Sequence, residues 1–180
     1  MNVIFLDIDG VLNCSGSKSK MIDGDSSYVG IDKHKILRLK EIINRTDAKI
    51  VLTSTWRIHL YKNDRVDKYM RQRFKKYGVE IYSCADYKRY SRGTGIKNWL
   101  KDHPDVEGWA VLDDEIFVDY DKDIRQHLLL TEFYSDQGGL RDEDIDIVCD
   151  IINGKLQEAR EVDITKTEEF IHVGLNDYVE

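Results

Sequence analysis

The sequence has little proline, little cysteine and no long apolar run, and each shortage excludes a class of protein. A single proline excludes collagen-like and proline-rich chains. Three scattered cysteines (Cys14, Cys84 and Cys149) form no CxxC pair, which disfavours a disulfide framework or a zinc site and favours a reduced, cytoplasmic protein. The first apolar run, residues 3–6, is too short for a signal peptide, and no run reaches the roughly 18 apolar residues that cross a bilayer.

The residues that are present suffice for one folded domain. Of the 180 residues, 41% are hydrophobic and 34% are charged, a composition that supports a core and is not typical of disorder. The formal net charge of −7, taken whole, argues against a simple polyanion-binding protein. We expect a domain over residues 1–154 and an acidic extension over residues 155–180, either a docked helix or a tail.

Short apolar runs alternate with helical patterns along the chain, which predicts an α/β fold with a mainly parallel sheet. The predicted strands are residues 3–6, 50–52, 79–82, 109–112 and 128–130. The predicted helices are residues 32–45, with Asp32 as N-cap, 63–77, 93–102 and 142–153, and residues 13–31 are a polar loop or hairpin.

Acidic and hydroxyl side chains follow three of these strands. Asp7 and Asp9 follow the first strand, Thr53 and Ser54 the second, and an Asp pair the fourth. Ligands of open parallel sheets bind beyond the carboxyl ends of the strands. Two carboxylates about 4 Å apart repel by roughly 4 kcal/mol at an effective dielectric of 20. A Mg²⁺ ion removes that repulsion, so a metal site that binds a phosphate is expected.

Three segments together resemble the haloacid dehalogenase (HAD) superfamily of phosphotransferases. Residues 5–12, Phe-Leu-Asp-Ile-Asp-Gly-Val-Leu, resemble its first motif, residues 50–54 its second and residues 111–114 its fourth. The third motif is a basic residue near a helix start, for which Arg92 matches best and Lys97 is the alternative. The resemblance implies a Rossmann-like three-layer sandwich and covers roughly residues 1–135.

The resemblance also implies a mechanism. An Asp carboxylate can attack a phosphoryl group, and Asp7 is the candidate nucleophile. Asp9 would protonate the leaving oxygen and then activate water. Because strand side chains alternate between faces, the chain must bend at Asp9, and Gly10 permits this. The ligands of Mg²⁺ would be Asp7, the backbone carbonyl of Asp9 and the pair formed by Asp113 and Asp114, which the sequence does not rank.

The phosphate ligands are less sharply defined. Thr53 and Ser54 both fit the second motif, and Ser54 is favoured. Arg92 or Lys97 would offset charge on the nucleophile and the phosphate.

The spacing of the motifs leaves no room for a large cap domain, so an open site is expected. Residues 57–101 hold 13 Lys and Arg against four Asp and Glu, with tyrosines interleaved. This segment suits a polyanion, although a solvated helix face paired with the acidic C-terminal third explains it slightly better. Residues 9–13 (Asp-Gly-Val-Leu-Asn), 54–57 (Ser-Thr-Trp-Arg) and 112–114 (Leu-Asp-Asp) together resemble a subset of capless HAD domains found near RNA-repair enzymes. This narrower resemblance favours nucleic-acid 5′ or 3′ ends as substrate. In that subset Trp56 would be a packing residue and Arg57 a phosphate contact.

Other functions remain open at this level. A small-molecule phosphatase or nucleotidase would share the fold and the motifs. A phospho-accepting receiver domain is disfavoured because its acid pair comes early in the chain, and a metal-dependent nuclease would not need Ser54. No membrane association and no obligate protein partner are indicated.

Overall fold

The structure is a computed structural model that describes residues 1–18, 29–86 and 91–160. Part of the loop expected at residues 13–31, and most of the expected C-terminal extension, lie outside these residues. Within them the strands are β1 (Asn2–Leu6), β2 (Lys49–Leu52), β3 (Ile81–Cys84), β4 (Gly108–Asp113) and β5 (Leu128–Leu130). The helices are α1 (Lys33–Thr46), α2 (Arg57–Lys62), α3 (Arg65–Lys76), α4 (Arg92–Asp102), α5 (Lys122–Gln126) and α6 (Asp144–Ile152).

The five strands form one parallel sheet in the order β3-β2-β1-β4-β5. Leu6, the last residue of β1, is in register with Leu52 of β2 and with Leu112 of β4. β1 and β2 therefore end at the same level, and β4 runs one residue further, to Asp113. Strand order reverses between β1 and β4, and such a reversal opens a crevice beyond the carboxyl ends of the strands.

Helices cover both faces of the sheet, which confirms the predicted three-layer α/β fold. In β1, Ile4 and Leu6 face one side, where α1, α3 and α6 pack against them. Val3 and Phe5 face the other side, which α4 and α5 cover. All four side chains are fully buried, as expected for a central strand of a parallel sheet.

Helices α1 and α3 begin at acidic N-caps. The predicted N-cap Asp32 is confirmed, because its side chain accepts hydrogen bonds from the backbone N–H groups of His34 and Lys35. Asp64 caps α3 in the same way.

One strand differs from the prediction by two residues. Residues 79–82 read as a strand, whereas β3 begins at Ile81. The Val79 N–H donates to the Phe74 carbonyl and the Gly78 N–H to the Lys75 carbonyl, with Gly78 at φ +65°. These bonds form a Schellman motif that ends α3, so Val79 belongs to the helix end and not to the sheet.

Two short helices were not anticipated by the periodicity. The basic segment 63–77 is preceded by α2, and Asn63 at φ 48° separates α2 from α3. The helix α5 lies between β4 and β5. Each is six residues or shorter, less than two turns, which is too short for an apolar period to stand out.

In the superfamily that the sequence resembles, caps are inserted after the first motif or between the second and third motifs. Among the described residues, the β1–β2 connection contains α1, the β2–β3 connection contains α2 and α3, and neither contains a separate cap domain. No described helix is both long enough and apolar enough to cross a membrane.

Candidate active site

Three carboxylates meet beyond the carboxyl ends of β1 and β4. Asp7 is one residue past β1, and its backbone N–H donates to the Leu112 carbonyl of β4 (2.9 Å), which holds it beside the end of that strand. Asp7, Asp113 and Asp114 each place an oxygen within 4.8 Å of the others. Asp7 and Asp113 are buried and Asp114 is half-buried. The parallel register thus brings together residues more than a hundred positions apart.

One buried guanidinium group lies against this cluster. Arg92 Nη1 is 3.1 Å from Asp7 Oδ1 and 2.6 Å from Asp113 Oδ2. Its guanidinium carbon lies 4.3 Å from the ring centroid of Phe117, a cation–π contact that fixes the side chain from the other side. Tyr120 donates its hydroxyl to the same Asp113 oxygen (2.8 Å). Arg92 therefore bridges the first and fourth motifs.

The single Arg does not offset all the negative charge. Burial raises the pKa of Asp7 well above its ordinary range, although Arg92 acts in the opposite direction. Burial and the neighbouring Asp113 raise the pKa of Asp114 to about 7. Crowded carboxylate oxygens whose charged forms are disfavoured suit a hard divalent cation, which would stabilise those charged forms. The residues present therefore fit the expected Mg²⁺ site.

The turn after β1 carries Asp9 toward the cleft, as the predicted bend requires. Gly10 has φ +74°, and a methyl group there would overlap the side chain of Asp114. The Asp9 carboxylate accepts a hydrogen bond at each oxygen, from Asn13 Nδ2 to Oδ1 (2.8 Å) and from Trp56 Nε1 to Oδ2 (2.8 Å). Trp56, which the sequence suggested as a packing residue, is buried and also contacts a site residue.

Both hydroxyl candidates of the second motif are buried beside the cluster. The Thr53 N–H donates to the Leu6 carbonyl (2.9 Å), which extends the β1–β2 ladder and sets Thr53 level with Asp7. Ser54 Oγ accepts from the Trp56 N–H (3.3 Å). Register thus places Thr53, the second choice from sequence, directly beside Asp7.

The two remaining basic candidates contact other groups. Lys97 Nζ forms a 2.5 Å ion pair with Asp121, and both side chains are about half exposed. Arg57 is buried, and its Nη1 donates to the Ser54 carbonyl (3.3 Å), so it lies under the turn of the second motif.

An open cleft of about 770 Å³ leads to the carboxylates. Its floor includes Asp7, Asp9, Arg92 and Asp114, and the remaining lining residues are Val29, Thr55, Trp56, Ile58, His59, Lys62, Glu115, Phe133 and Tyr134. Tyr134 is 87% exposed, although its ring packs edge-on against Phe133. The walls combine exposed apolar groups with basic ones.

Comparison with known proteins identifies the family. A family model described as the HAD domain in Swiss Army Knife RNA repair proteins matches residues 3–145. The chain belongs to this family. The match confirms the predicted resemblance and includes every carboxylate of the cluster. Neither a curated protein nor a solved structure matches the chain significantly. Membership implies phosphohydrolase-type chemistry, and HAD enzymes typically use Mg²⁺, for which the carboxylate cluster is suited.

Three residues that support this HAD domain's candidate site have contacts that the sequence does not predict. Asn13 directly follows the first motif, Trp56 lies two residues after Ser54, and Tyr120 lies between β4 and α5. Asn13 and Trp56 belong to segments that carry the narrower resemblance, but only the fold shows that they contact Asp9 and that Tyr120 contacts Asp113.

Proposed function

We propose that this HAD domain is a Mg²⁺-dependent phosphohydrolase that acts through an aspartyl-phosphate on Asp7, with nucleic-acid ends as its substrates. One observation carries the proposal. Oxygens of Asp7, Asp113 and Asp114 lie within 4.8 Å of one another, Asp7 and Asp114 line an open cleft, and the guanidinium of Arg92 lies against Asp7 and Asp113.

The metal would be held by Asp7, Asp113 and Asp114, with the Asp9 backbone carbonyl as a further ligand implied by the superfamily. When bound, it would offset the charge of the carboxylates and of the phosphate oxygens. Arg92 supplies a permanent positive charge at the same place, because its pairs with Asp7 and Asp113 hold it there.

The protein's own groups account for the two chemical steps. An Asp7 oxygen attacks phosphorus, the bond to the leaving oxygen breaks, and that oxygen takes a proton from Asp9. Asp9 then removes a proton from water as the water oxygen attacks phosphorus, which breaks the bond to Asp7 and releases phosphate. Thr53 or Ser54 would donate a hydrogen bond to a phosphoryl oxygen during both steps.

The cleft walls support a nucleic-acid end as substrate. Lys62 on α2 lines one part of the cleft, and the exposed ring of Tyr134 lines another. An ammonium group suits backbone phosphates, and an exposed aromatic ring suits an unstacked base. The family itself is described from RNA repair proteins.

The basic helix α3 extends this charge beyond the cleft. Lys68 and Lys75 are exposed on it, whereas Arg71 pairs with Asp67 in the same helix (2.7 Å). These exposed lysines support contact with a polyanion.

The strand order speaks against the receiver alternative. Receiver domains have the order 2-1-3-4-5, whereas this sheet has the order 3-2-1-4-5.

A nucleotidase remains compatible with a cleft of this size, and substrate comparison separates it from an enzyme that acts on polymer ends.

A panel of phosphorylated substrates tests the proposal. Oligonucleotides with 5′ or 3′ phosphates, mononucleotides, sugar phosphates and phosphopeptides are compared at equal concentration with Mg²⁺, and Asp7→Asn is the control. We expect the highest kcat/KM on oligonucleotide ends, falling steeply as salt rises. A preference for mononucleotides that is independent of salt would replace the polymer substrate with a nucleotide, and inactivity on the whole panel would refute the proposed activity.

A further inference from the structure

We propose that Trp56 and Asn13 are positioning residues that hold the carboxyl group of Asp9 in the orientation needed for proton transfer. The inference rests on the proposed function, because it concerns the group that would protonate the leaving oxygen. It assigns a positioning role to two side chains for which the sequence predicts no contact with Asp9 and the family description names no role.

Both oxygens of Asp9 are held by donors from different segments. Trp56 Nε1 donates to Oδ2 from the turn after β2, and Asn13 Nδ2 donates to Oδ1 from the turn after β1, each at 2.8 Å. Two donors at opposite ends of a carboxylate fix both its position and the plane of the group. Either donor alone would leave the carboxylate able to rotate.

The donors themselves are firmly anchored. Trp56 is 3% exposed, its backbone N–H donates to Ser54 Oγ (3.3 Å), and its ring lies 6.5 Å from that of Tyr69. The second motif therefore supplies both a hydroxyl near the phosphoryl site and the indole that orients Asp9.

Asn13 is fully buried and uses its whole amide group. Its Oδ1 accepts from the Gly10 N–H (3.0 Å), and its Nδ2 also donates to the Val29 carbonyl (3.0 Å). It thus locks the turn that follows Asp7 while it holds Asp9. The carboxyl group is kept on a preformed scaffold and not on a flexible loop.

The two hydrogen bonds that Asp9 accepts leave its carboxyl group able to transfer a proton. Each carboxylate oxygen has two lone-pair positions, and the donors from the protein use one on each. Asp9 also lines the cleft, so its remaining positions are reachable from the substrate side. In the forward step the Asp9 O–H bond breaks, its proton moves to the leaving oxygen, and the carboxylate that results is the group that Trp56 and Asn13 stabilise.

A misoriented Asp9 has a distinctive kinetic consequence. An alkoxide leaving group needs a proton as its bond to phosphorus breaks, whereas a nitrophenolate leaves without one. kcat/KM reports only the steps up to formation of the aspartyl-phosphate. Loss of orientation should therefore lower kcat/KM for alkyl phosphates much more than for nitrophenyl phosphate.

Trp56→Phe tests the inference, because it removes the indole N–H and keeps an aromatic ring in the core. We expect kcat/KM for an alkyl phosphate to fall roughly tenfold to a hundredfold, part of the 10² to 10⁴ that general acid–base catalysis contributes. For nitrophenyl phosphate we expect a fall of less than about threefold, since that leaving group needs no acid. Asn13→Ala should show the same split if it folds.

Trp99→Phe is the matched control. It also removes a buried indole N–H, but that group donates to Ser83 Oγ (2.9 Å) within the core that α4 covers on the other sheet face. We expect Trp99→Phe to change both substrates equally. An equal loss on both substrates in Trp56→Phe would overturn the positioning role.

A spectroscopic measurement keeps the inference separate from the proposed activity. The indole ¹H–¹⁵N resonance of Trp56, assigned by its disappearance in Trp56→Phe, should shift clearly in Asp9→Ala, while that of Trp99 should stay in place. An unshifted Trp56 resonance would refute the contact. If wild type hydrolyses neither ester, the proposed function fails, and this resonance still decides whether Trp56 holds Asp9.

Discussion

At the scale of residues, the site is a balance between crowded carboxylates and one buried cation. Arg92 touches Asp7 and Asp113, yet the pKa of Asp7 stays well above its ordinary range and that of Asp114 rises to about 7. The unliganded arrangement is therefore short of positive charge. This shortage links stability to metal binding, because a cation that neutralises the cluster also stabilises the fold.

The variant Asp114→Asn tests this link between the stability of the fold and metal binding. Because the folded-state pKa of Asp114 is raised, its ionisation destabilises the metal-free protein progressively as pH rises from about 4 to about 7. In chelator at pH 8, Asp114→Asn should melt a few degrees above wild type, and added Mg²⁺ should raise its Tm less. Thermal unfolding of both proteins at pH 5 and pH 8 checks this, and an equal Mg²⁺ response in both would show that Asp114 binds no metal.

The register argument also ranks the hydroxyls of the second motif. Because Thr53 lies level with Asp7, we expect Thr53→Val to lower kcat/KM about a hundredfold, the cost of a lost donor to a developing charge. Ser54→Ala should cost less, since its Oγ accepts from the Trp56 N–H within the turn. Steady-state kinetics on nitrophenyl phosphate compare the two variants, and the opposite order would make Ser54 the phosphate ligand.

The sequence predicts the charged residues of the candidate site better than the residues that orient them. Asp7 and Asp114 are recognisable because apolar strands run directly into acids, and Arg92 because it precedes a helix. The roles of Trp56 and Asn13 are not predicted, although both belong to segments that carry the narrower resemblance, since a single Trp or Asn near a strand end most often packs or caps. The parallel register sets Trp56, just past the second motif, beside Asp9, and the turn after β1 brings Asn13 to the same carboxylate.

At the scale of elements, the start of α4 is fastened to the loop after β4. Asp119 Oδ2 accepts from the Thr94 N–H (2.7 Å) and from the Thr94 hydroxyl (3.0 Å). Gly93 lies so close to the Asp119 carbonyl that a methyl group there would overlap it. Because α4 begins at Arg92, these contacts place its guanidinium group beside Asp7 and Asp113.

The two basic candidates of α4 should therefore behave differently. Arg92→Ala removes the charge that touches Asp7, and we expect at least a hundredfold loss of kcat. Lys97→Ala breaks a half-exposed pair with Asp121 and should leave most of the activity. Kinetics of both variants, with circular dichroism to verify folding, test the assignment, and the reverse ranking would transfer the role to Lys97.

The sequence predicts the strands well where an apolar run is buried on both faces of the sheet. It predicts them less well where a helix-ending motif includes an apolar residue next to the strand. β1, β2 and β4 lie at the predicted places because their apolar runs are buried on both faces. β3 is displaced because Val79 takes part in the Schellman motif at the end of α3. An apolar residue that the sequence pattern assigns to a strand can thus belong to the hydrogen-bonded end of the preceding helix.

At the scale of the whole molecule, charge is segregated along the chain. The formal net charge is −7, yet residues 57–101 hold 13 Lys and Arg against four Asp and Glu, and residues from this stretch line the cleft. We propose that the catalytic domain ends near residue 154, because α6 ends at Ile152. For the proposed nucleic-acid substrate, we expect the local charge at the cleft to matter more than the net charge.

Charge reversal at the cleft wall tests this. Lys62→Glu should raise KM for an oligonucleotide end several-fold at low salt, with a smaller effect at high salt, and should leave KM for nitrophenyl phosphate nearly unchanged. Lys49→Glu, at the opposite end of β2, changes net charge equally and serves as the control. If both reversals raise KM for the oligonucleotide end equally, the effect comes from net charge and not from the charge at the cleft wall.

The most direct test of the account is hydrolysis of nitrophenyl phosphate with saturating Mg²⁺ by wild type and Asp7→Asn under identical conditions. The change is nearly isosteric and removes the nucleophilic carboxylate. Wild type should turn over, and Asp7→Asn should lose roughly a thousandfold or more in kcat, as expected when a covalent nucleophile is removed. A folded Asp7→Asn protein that retains activity within tenfold of wild type would contradict the aspartyl-phosphate mechanism.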